Sequence, residues 1–239
     1  ARRYPSPRVL RCEQQFGSPA RDHDEGRIEQ AAARVKAARG PASIVGGGTL
    51  SATGPLRQLA EQLQAPVTST ISARGVLSDD HPLSYTVLAG QHIWEHVDVA
   101  LVIGTRFTAP ALSWGRLGEM DVVRIDIDPD AVSRPVGSSV EIVTSADKGL
   151  SALLAALEPG PADREAYLAF CAEADRVVRE KLDTRGPLPE LARILRSTLP
   201  ADGVVVADVT QLGSFVRYAM PAYLPRTIMG PGYQATLGY

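Results

Sequence analysis

Three short clusters in this 239-residue chain carry residue types that can do chemistry. Gly46-Gly47-Gly48 follows an apolar run and precedes a helical stretch. A glycine turn there lets backbone N–H groups approach a phosphate at a helix N-terminus. The dinucleotide fingerprint fails, because its third glycine would fall at Ser51 and the region expected to carry an acidic ribose ligand reads Thr70, Ser72 and Arg74. A tight strand-to-helix turn and a nucleotide site explain the triplet equally well. Asp126 and Asp128, in Ile-Asp-Ile-Asp-Pro, end another apolar run. A carboxylate there can accept from ribose hydroxyls or simply close the turn before Pro129. His92-Ile93-Trp94-Glu95-His96 matches a zinc-protease pattern that needs one continuous helix to stack its imidazoles. It abuts the run 97–103, where a helix should end, and His81 is no evident third ligand, so the chance match is preferred to zinc. No Gly-x-Ser-x-Gly elbow is present.

Two further stretches lie close together near the end of the sequence. Asp208-Val209-Thr210-Gln211 follows an apolar run, a place where main-chain amides can cradle a phosphate. Residues 229–238 are glycine-rich, which permits close approach of backbone to a ligand. Either alone reads as loop chemistry, but together in one short block they favour a binding edge.

The elements that must position these residues alternate. Apolar runs at 42–45, 66–70, 97–103, 122–127 and 140–143 read as buried parallel strands, separated by helices at 27–39, 55–63 and 146–157. That alternation predicts an α/β fold with a doubly wound parallel sheet covered on both faces. Residues 1–26 read as a linker and 27–157 as one domain. Glu158-Pro159-Gly160-Pro161 breaks the chain, and Asp163 is expected to cap a helix running to about residue 182, the core of a connector over 158–186. From 187 onward a helix to about 199, a strand at 204–207, a helix at 215–220 and a strand at 227–229 begin a second α/β unit. Two short strands and one helix bury little apolar surface, so Val204, Val205, Val206, Phe215, Val216, Ile228 and Met229 should need cover from outside their own block.

Bulk composition narrows the functional classes. Twenty-five basic residues against 27 acidic ones give a net charge of −2, with no like-charge block to bind nucleic acid or an anionic membrane. No apolar run reaches the ~18 residues of a membrane span, and the first residues lack a secretory h-region. Cys12 and Cys171 lack metal or redox spacing and read as free thiols of a reducing cytoplasm. The chain contains no asparagine.

Five segments, in order, carry a resemblance: Ile44-Val45-Gly46-Gly47-Gly48, Ala65-Pro66-Val67, Gly75-Val76-Leu77-Ser78-Asp79-Asp80-His81-Pro82, Ile103-Gly104-Thr105-Arg106-Phe107 and Ile125-Asp126-Ile127-Asp128-Pro129. Over about 27–157 the chain resembles the central domain of thiamine-diphosphate-dependent enzymes of acetolactate synthase type. The resemblance implies a six-stranded parallel sheet, thiamine diphosphate and Mg2+ as cofactors, a 2-oxo acid substrate and a homo-oligomer (dimer or tetramer). From 188 onward the chain is similar to the start of the family's C-terminal cofactor domain. By that likeness Asp208, Val209, Thr210 and Gln211 contact the diphosphate. The carbonyl of Ala235, with Thr236 beside it, holds the aminopyrimidine, and Leu237 is the wedge that bends the cofactor.

The likeness is also incomplete. The family's activating glutamate and its Gly-Asp-Gly…Asn metal motif have no counterpart in this sequence, so the resemblance assigns no catalytic residue and no metal ligand to it and implies that the chain by itself is inactive. Thr108-Ala109-Pro110 stands where flavin-binding members place charged residues, which leaves Arg106 as the one match and disfavours FAD. Carboligation is the first reading of the parent activity and simple decarboxylation the second. A non-catalytic nucleotide-binding module is the rival from another class.

Overall fold

The structure, a computed structural model, describes residues 24–158 and 163–231. The first helix, α1 (Glu25–Ala37), starts where Asp24 accepts from the Arg27 amide, and it buries Ile28, Ala31, Ala32 and Val35 along one stripe. Five further strands and three helices follow β1 (Pro41–Val45) in alternation: α2 (Thr53–Leu63), β2 (Val67–Ser69), β3 (Ser84–Thr86), α3 (Val87–Ile93), β4 (Val99–Ile103), β5 (Asp121–Asp126), β6 (Val140–Val143) and α4 (Ala146–Ala155). The strands form one all-parallel sheet in the order β3-β2-β1-β4-β5-β6. This is the α/β, six-stranded architecture that the sequence leads one to expect.

Every residue of β1 and β4 is buried, because helices cover both faces and each strand alternates between two apolar layers. Val99, Leu101 and Ile103 point into the layer built with α1, α2 and α4. Ala100 and Val102 point the other way, into a layer that holds Ile93, Trp94, Phe107 and Cys171. The second layer is completed by α5 (Glu165–Asp183), whose buried residues are Cys171, Ala174 and Val178. Burying a side chain of Val, Leu or Ile size stabilises by roughly 1.5–3 kcal/mol, so these two layers carry most of the apolar stabilisation of this part of the chain.

The remaining described elements are α6 (Leu188–Thr198), β7 (Val205–Val206), α7 (Gln211–Ala219) and β8 (Ile228–Met229). β7 and β8 pair in parallel as a separate two-stranded sheet. Ile228 and Val216 are buried and Val205 and Phe215 half-buried, whereas Val204, Val206 and Met229 remain more than half exposed.

Several boundaries differ from the sequence reading. β3 was not expected as a strand. Ser84 and Thr86 are polar and Pro82 lies just before them, so it is pairing with β2 at the sheet edge that makes this segment a strand. The fourth strand begins at Val99, because 94–96 forms one tight helical turn and Asp98 is occupied capping the amides of Arg39 and Gly40. Asp163 does not cap α5; Arg164 occupies that position, and its guanidinium donates to the carbonyls of Leu63 and Ala38 instead. α7 starts four residues earlier than expected, because Thr210 accepts from the Gly213 amide at 2.9 Å.

Candidate functional site

Where β1 leads away toward β2 and β4 toward β5, the sheet has its topological switch point, the usual ligand crevice of such sheets. Two glycine turns meet there backbone to backbone. The Gly46 amide donates to the Ile103 carbonyl and the Gly48 amide to the Gly104 carbonyl, both at 3.0 Å. A Cβ on Gly46 would lie 2.3 Å from the Gly104 oxygen, and one on Gly48 would lie 2.7 Å from the Gly104 Cα. Gly104 itself has φ +55°, a conformation that favours glycine. Gly46 and Gly48 are therefore needed for close packing of the two turns, whereas a Cβ on Gly47 would meet only Ser72, at 3.6 Å. Gly48 also borders an open groove of about 390 Å³, together with Ser51, Gly104, Asp126, Ser145 and Asp147.

Asp126 and Asp128 part company here. Asp126 lines the groove and Asp128 does not. Each closes a turn: Asp126 accepts from the Asp128 amide at 3.1 Å, and Asp128 from the Asp130 amide at 2.9 Å. Burial raises the Asp126 carboxyl above the ordinary carboxylate range, against the opposing pull of the Asp128 amide and of Arg124. Across the groove, a hydrogen bond from Ser145 holds Asp147 below its ordinary value. Ser51, Ser145 and Asp147 were not singled out from sequence, although Ser145 directly before Ala146-Asp147 has the pattern of a helix start.

Behind the groove, the turns after β4 and β5 are clamped by one buried cation. The Arg124 guanidinium donates to the carbonyls of Thr105 (2.8 Å) and Arg134 and lies 5.7 Å from the centre of the Phe107 ring. Phe107 is buried with φ +57°, a strained backbone for an aromatic residue that its surroundings must hold in place. Arg106 is exposed in this turn and does not line the groove.

The His-x-x-Glu-His pattern does not form a metal face. α3 ends at Ile93 and a tight 3-10 turn carries 94–96, where His96 packs on Phe170 with ring centres 3.9 Å apart. Among the described residues no group of three or more His, Cys, Asp or Glu stands close enough to hold a metal ion. Cys171 is buried, and that burial pushes its thiol up to about 12, the state of an inert structural cysteine.

The second candidate edge lies at the carboxyl end of β7. Asp208, Val209, Thr210 and Gln211 are all exposed there. The Asp208 carboxylate accepts from the Val209 amide at 2.6 Å, and Thr210 caps α7 through the Gly213 amide. Gly213 is required, since a Cβ there would lie 2.0 Å from the Asp208 carbonyl oxygen. The result is a compact turn from strand to helix in which Thr210 takes the Gly213 amide and the Gln211 and Leu212 amides lack intrahelical acceptors, a donor pair suited to a phosphate. Ala235, Thr236 and Leu237 lie outside the described residues.

Known proteins are similar to this chain in sequence. The family described as thiamine pyrophosphate enzyme, central domain, matches residues 28–153. A probable 2-ketoarginine decarboxylase of Pseudomonas aeruginosa is 33% identical over 223 residues, 89% of this chain and 39% of that protein. The large subunit of acetolactate synthase isozyme 1 of Escherichia coli is 27% identical over 235 residues, 90% of this chain and 40% of its own length. An acetolactate synthase of Mycobacterium bovis is 30% identical over 236 residues, 89% of this chain and 37% of that enzyme. The chain thus spans about two fifths of the length of these curated relatives. No helix among the described residues is long and apolar enough to cross a membrane.

Proposed function

This chain belongs to the thiamine pyrophosphate enzymes, whose central domain it contains, and from that premise we propose that it is part of a thiamine-diphosphate- and Mg2+-dependent enzyme acting on 2-oxo acids, with carboligation of acetolactate synthase type as its reaction. The observation that carries the reading is the family match over 28–153, coincident with the six-stranded sheet. Thiamine diphosphate, when bound, supplies the electron sink for decarboxylation of a 2-oxo acid. The contribution of this chain is to hold: Asp208, Val209, Thr210 and Gln211 form a strand-end turn for the diphosphate, with Thr210 fixing the first turn of α7.

In this reading Ala235, Thr236 and Leu237 hold the ring portion of the cofactor, and the residues present offer no Asn for the metal. The groove beside Gly48 and Asp126 takes at most a weakly bound adenine nucleotide, its ribose hydroxyls donating to Asp126. Flavin is disfavoured by Thr108-Ala109-Pro110 beside Arg106. Val204, Val206, Val209 and Met229 are each more than half exposed, apolar side chains of the kind that oligomers cover, in keeping with a homodimer or tetramer. The unpaired Cys171 fits a reducing, cytoplasmic setting.

Decarboxylation without carboligation is the second reading, favoured by the 33% identity to a protein named as a decarboxylase. The two readings are separated by assaying the intact polypeptide that contains this chain with pyruvate and with 2-ketoarginine, with and without thiamine diphosphate and Mg2+. Acetolactate from pyruvate supports the first reading, and CO2 with the corresponding aldehyde supports the second. Cofactor-independent or absent turnover contradicts both. The 239-residue chain alone is expected to show no turnover, and turnover by it would refute the reading of an incomplete site.

A further inference from the structure

The turn after β2 meets the far end of α7 through a buried charged node. Arg74 is 3% exposed. Its Nη2 donates to Asp79 Oδ2 at 2.5 Å and to the Met220 carbonyl at 2.7 Å, and its Nη1 donates to the Arg217 carbonyl at 3.0 Å. Arg217 and Met220 lie in and just beyond the last turn of α7, where carbonyls lack helical partners and a cation is favoured. Asp79 completes the grip: its Oδ2 accepts from the Ala222 amide at 2.8 Å, its own amide donates to the Ala222 carbonyl at 3.0 Å, and Ser84 donates to its Oδ1 at 3.1 Å. Gly75, with φ +80°, lets the two backbones touch, for a Cβ there would lie 2.1 Å from the Leu224 carbonyl oxygen.

We propose that Arg74 and Asp79 are positioning residues for the cofactor edge: by fixing the C-terminal end of α7 on the central domain, they set where its N-terminal end presents Thr210 and Gln211. This rests on the reading of 208–211 as the diphosphate contact. α7 is nine residues long, roughly 13 Å at 1.5 Å per residue, so a small tilt at the gripped end is a displacement at the other. Three acceptors around one guanidinium call for a planar fork, which a lysine cannot supply. A buried ion pair is a poor device for stability alone, since well-packed apolar residues serve as well, and specifying one geometry is its better-attested use.

Amide hydrogen exchange on the intact polypeptide that contains this chain, as wild type and as Arg74→Met, Arg74→Lys and Asp79→Asn, tests this, with Mg2+ and inorganic diphosphate as the probe. Arg74→Met should speed exchange in Gln211–Ala219 at least tenfold and leave Val99–Ile103 within twofold. The diphosphate concentration that half-protects the amides of 211 and 212 should rise about tenfold, with Arg74→Lys recovering part of both effects. Asp79→Asn keeps its shape and one acceptor oxygen; it should loosen the same helix less, and it reads the node if Arg74→Met fails to fold. Exchange in α7 that is unchanged, or that rises equally in β1 and β4, overturns the proposal. So does unchanged half-protection by diphosphate despite a loosened α7. Wild-type amides at 211 and 212 that diphosphate never protects refute instead the cofactor-contact reading, while a selectively loosened α7 would still identify the node as a clamp.

Discussion

β4 and β7 both end at the carboxyl edge of a parallel sheet, and both feed a candidate binding turn. β4 is five residues long, buried throughout, with strands on both sides. β7 is two residues long, paired on one side only, with Val206 56% exposed. The difference teaches how each edge is held. The central sheet carries its turns on its own two apolar layers. Among the described residues the small sheet has the buried cluster of Ala192, Ala207, Val216, Met220, Ala222 and Ile228, with Leu195, Val205, Leu212 and Phe215 packed against it, and it leans on the central domain through Arg74, Gly75 and Asp79.

The largest effect that sharpens this contrast is expected at β4. Leu101→Ala removes a fully covered side chain and should cost about 2–5 kcal/mol, read as a fall in urea midpoint that β7 and β8 share because their platform unfolds. A loss confined to the central sheet would break the dependence. A matched pair comes next. Val102→Thr places a hydroxyl in a layer where Val102 is 1% exposed and should cost about 1–3 kcal/mol, whereas Val206→Thr should stay within about 0.5 kcal/mol. Equal costs would mean that the two sheets are not differently covered.

The smallest effect concerns Asp126. Its folded-state carboxyl is raised by burial, so the folded protein binds the proton more tightly than the unfolded one. Stability from this group is therefore present below the ordinary carboxylate range and lost as pH rises through its raised value. Asp126→Asn should raise the melting temperature slightly at pH 7, with the gain vanishing near pH 3–4. A lower melting temperature at pH 7 would show that Asp126 gains more from the Asp128 amide and Arg124 than it loses to burial.

What could be read from residues alone follows the same division. β1, β4 and β5 were legible because burial on two faces leaves near-continuous apolar runs. β3 was not, because Ser84-Tyr85-Thr86 has no such run and becomes a strand through its neighbour. The helix start at Gln211 was obscured by Gly213, a poor helix former that is present to clear the Asp208 carbonyl. At the groove, Gly48 and Asp126 were legible as strand-end residues, but Ser51, Ser145 and Asp147 come from turns that only the sheet order brings together. The Arg74 node joins residues 143 and 146 apart in sequence, a separation at which no local pattern signals contact.

On this comparison the elements from α1 to α5 form a self-sufficient platform, and the block carrying 208–211 depends on it. Urea unfolding of a chain cut after Asp183, set beside a peptide of residues 187–239, tests this most directly. The account predicts one cooperative transition for the cut chain, with a midpoint close to that of the whole, and little or no ordered structure by circular dichroism for the peptide alone. A peptide that folds cooperatively by itself, or a cut chain that loses its transition, would contradict it.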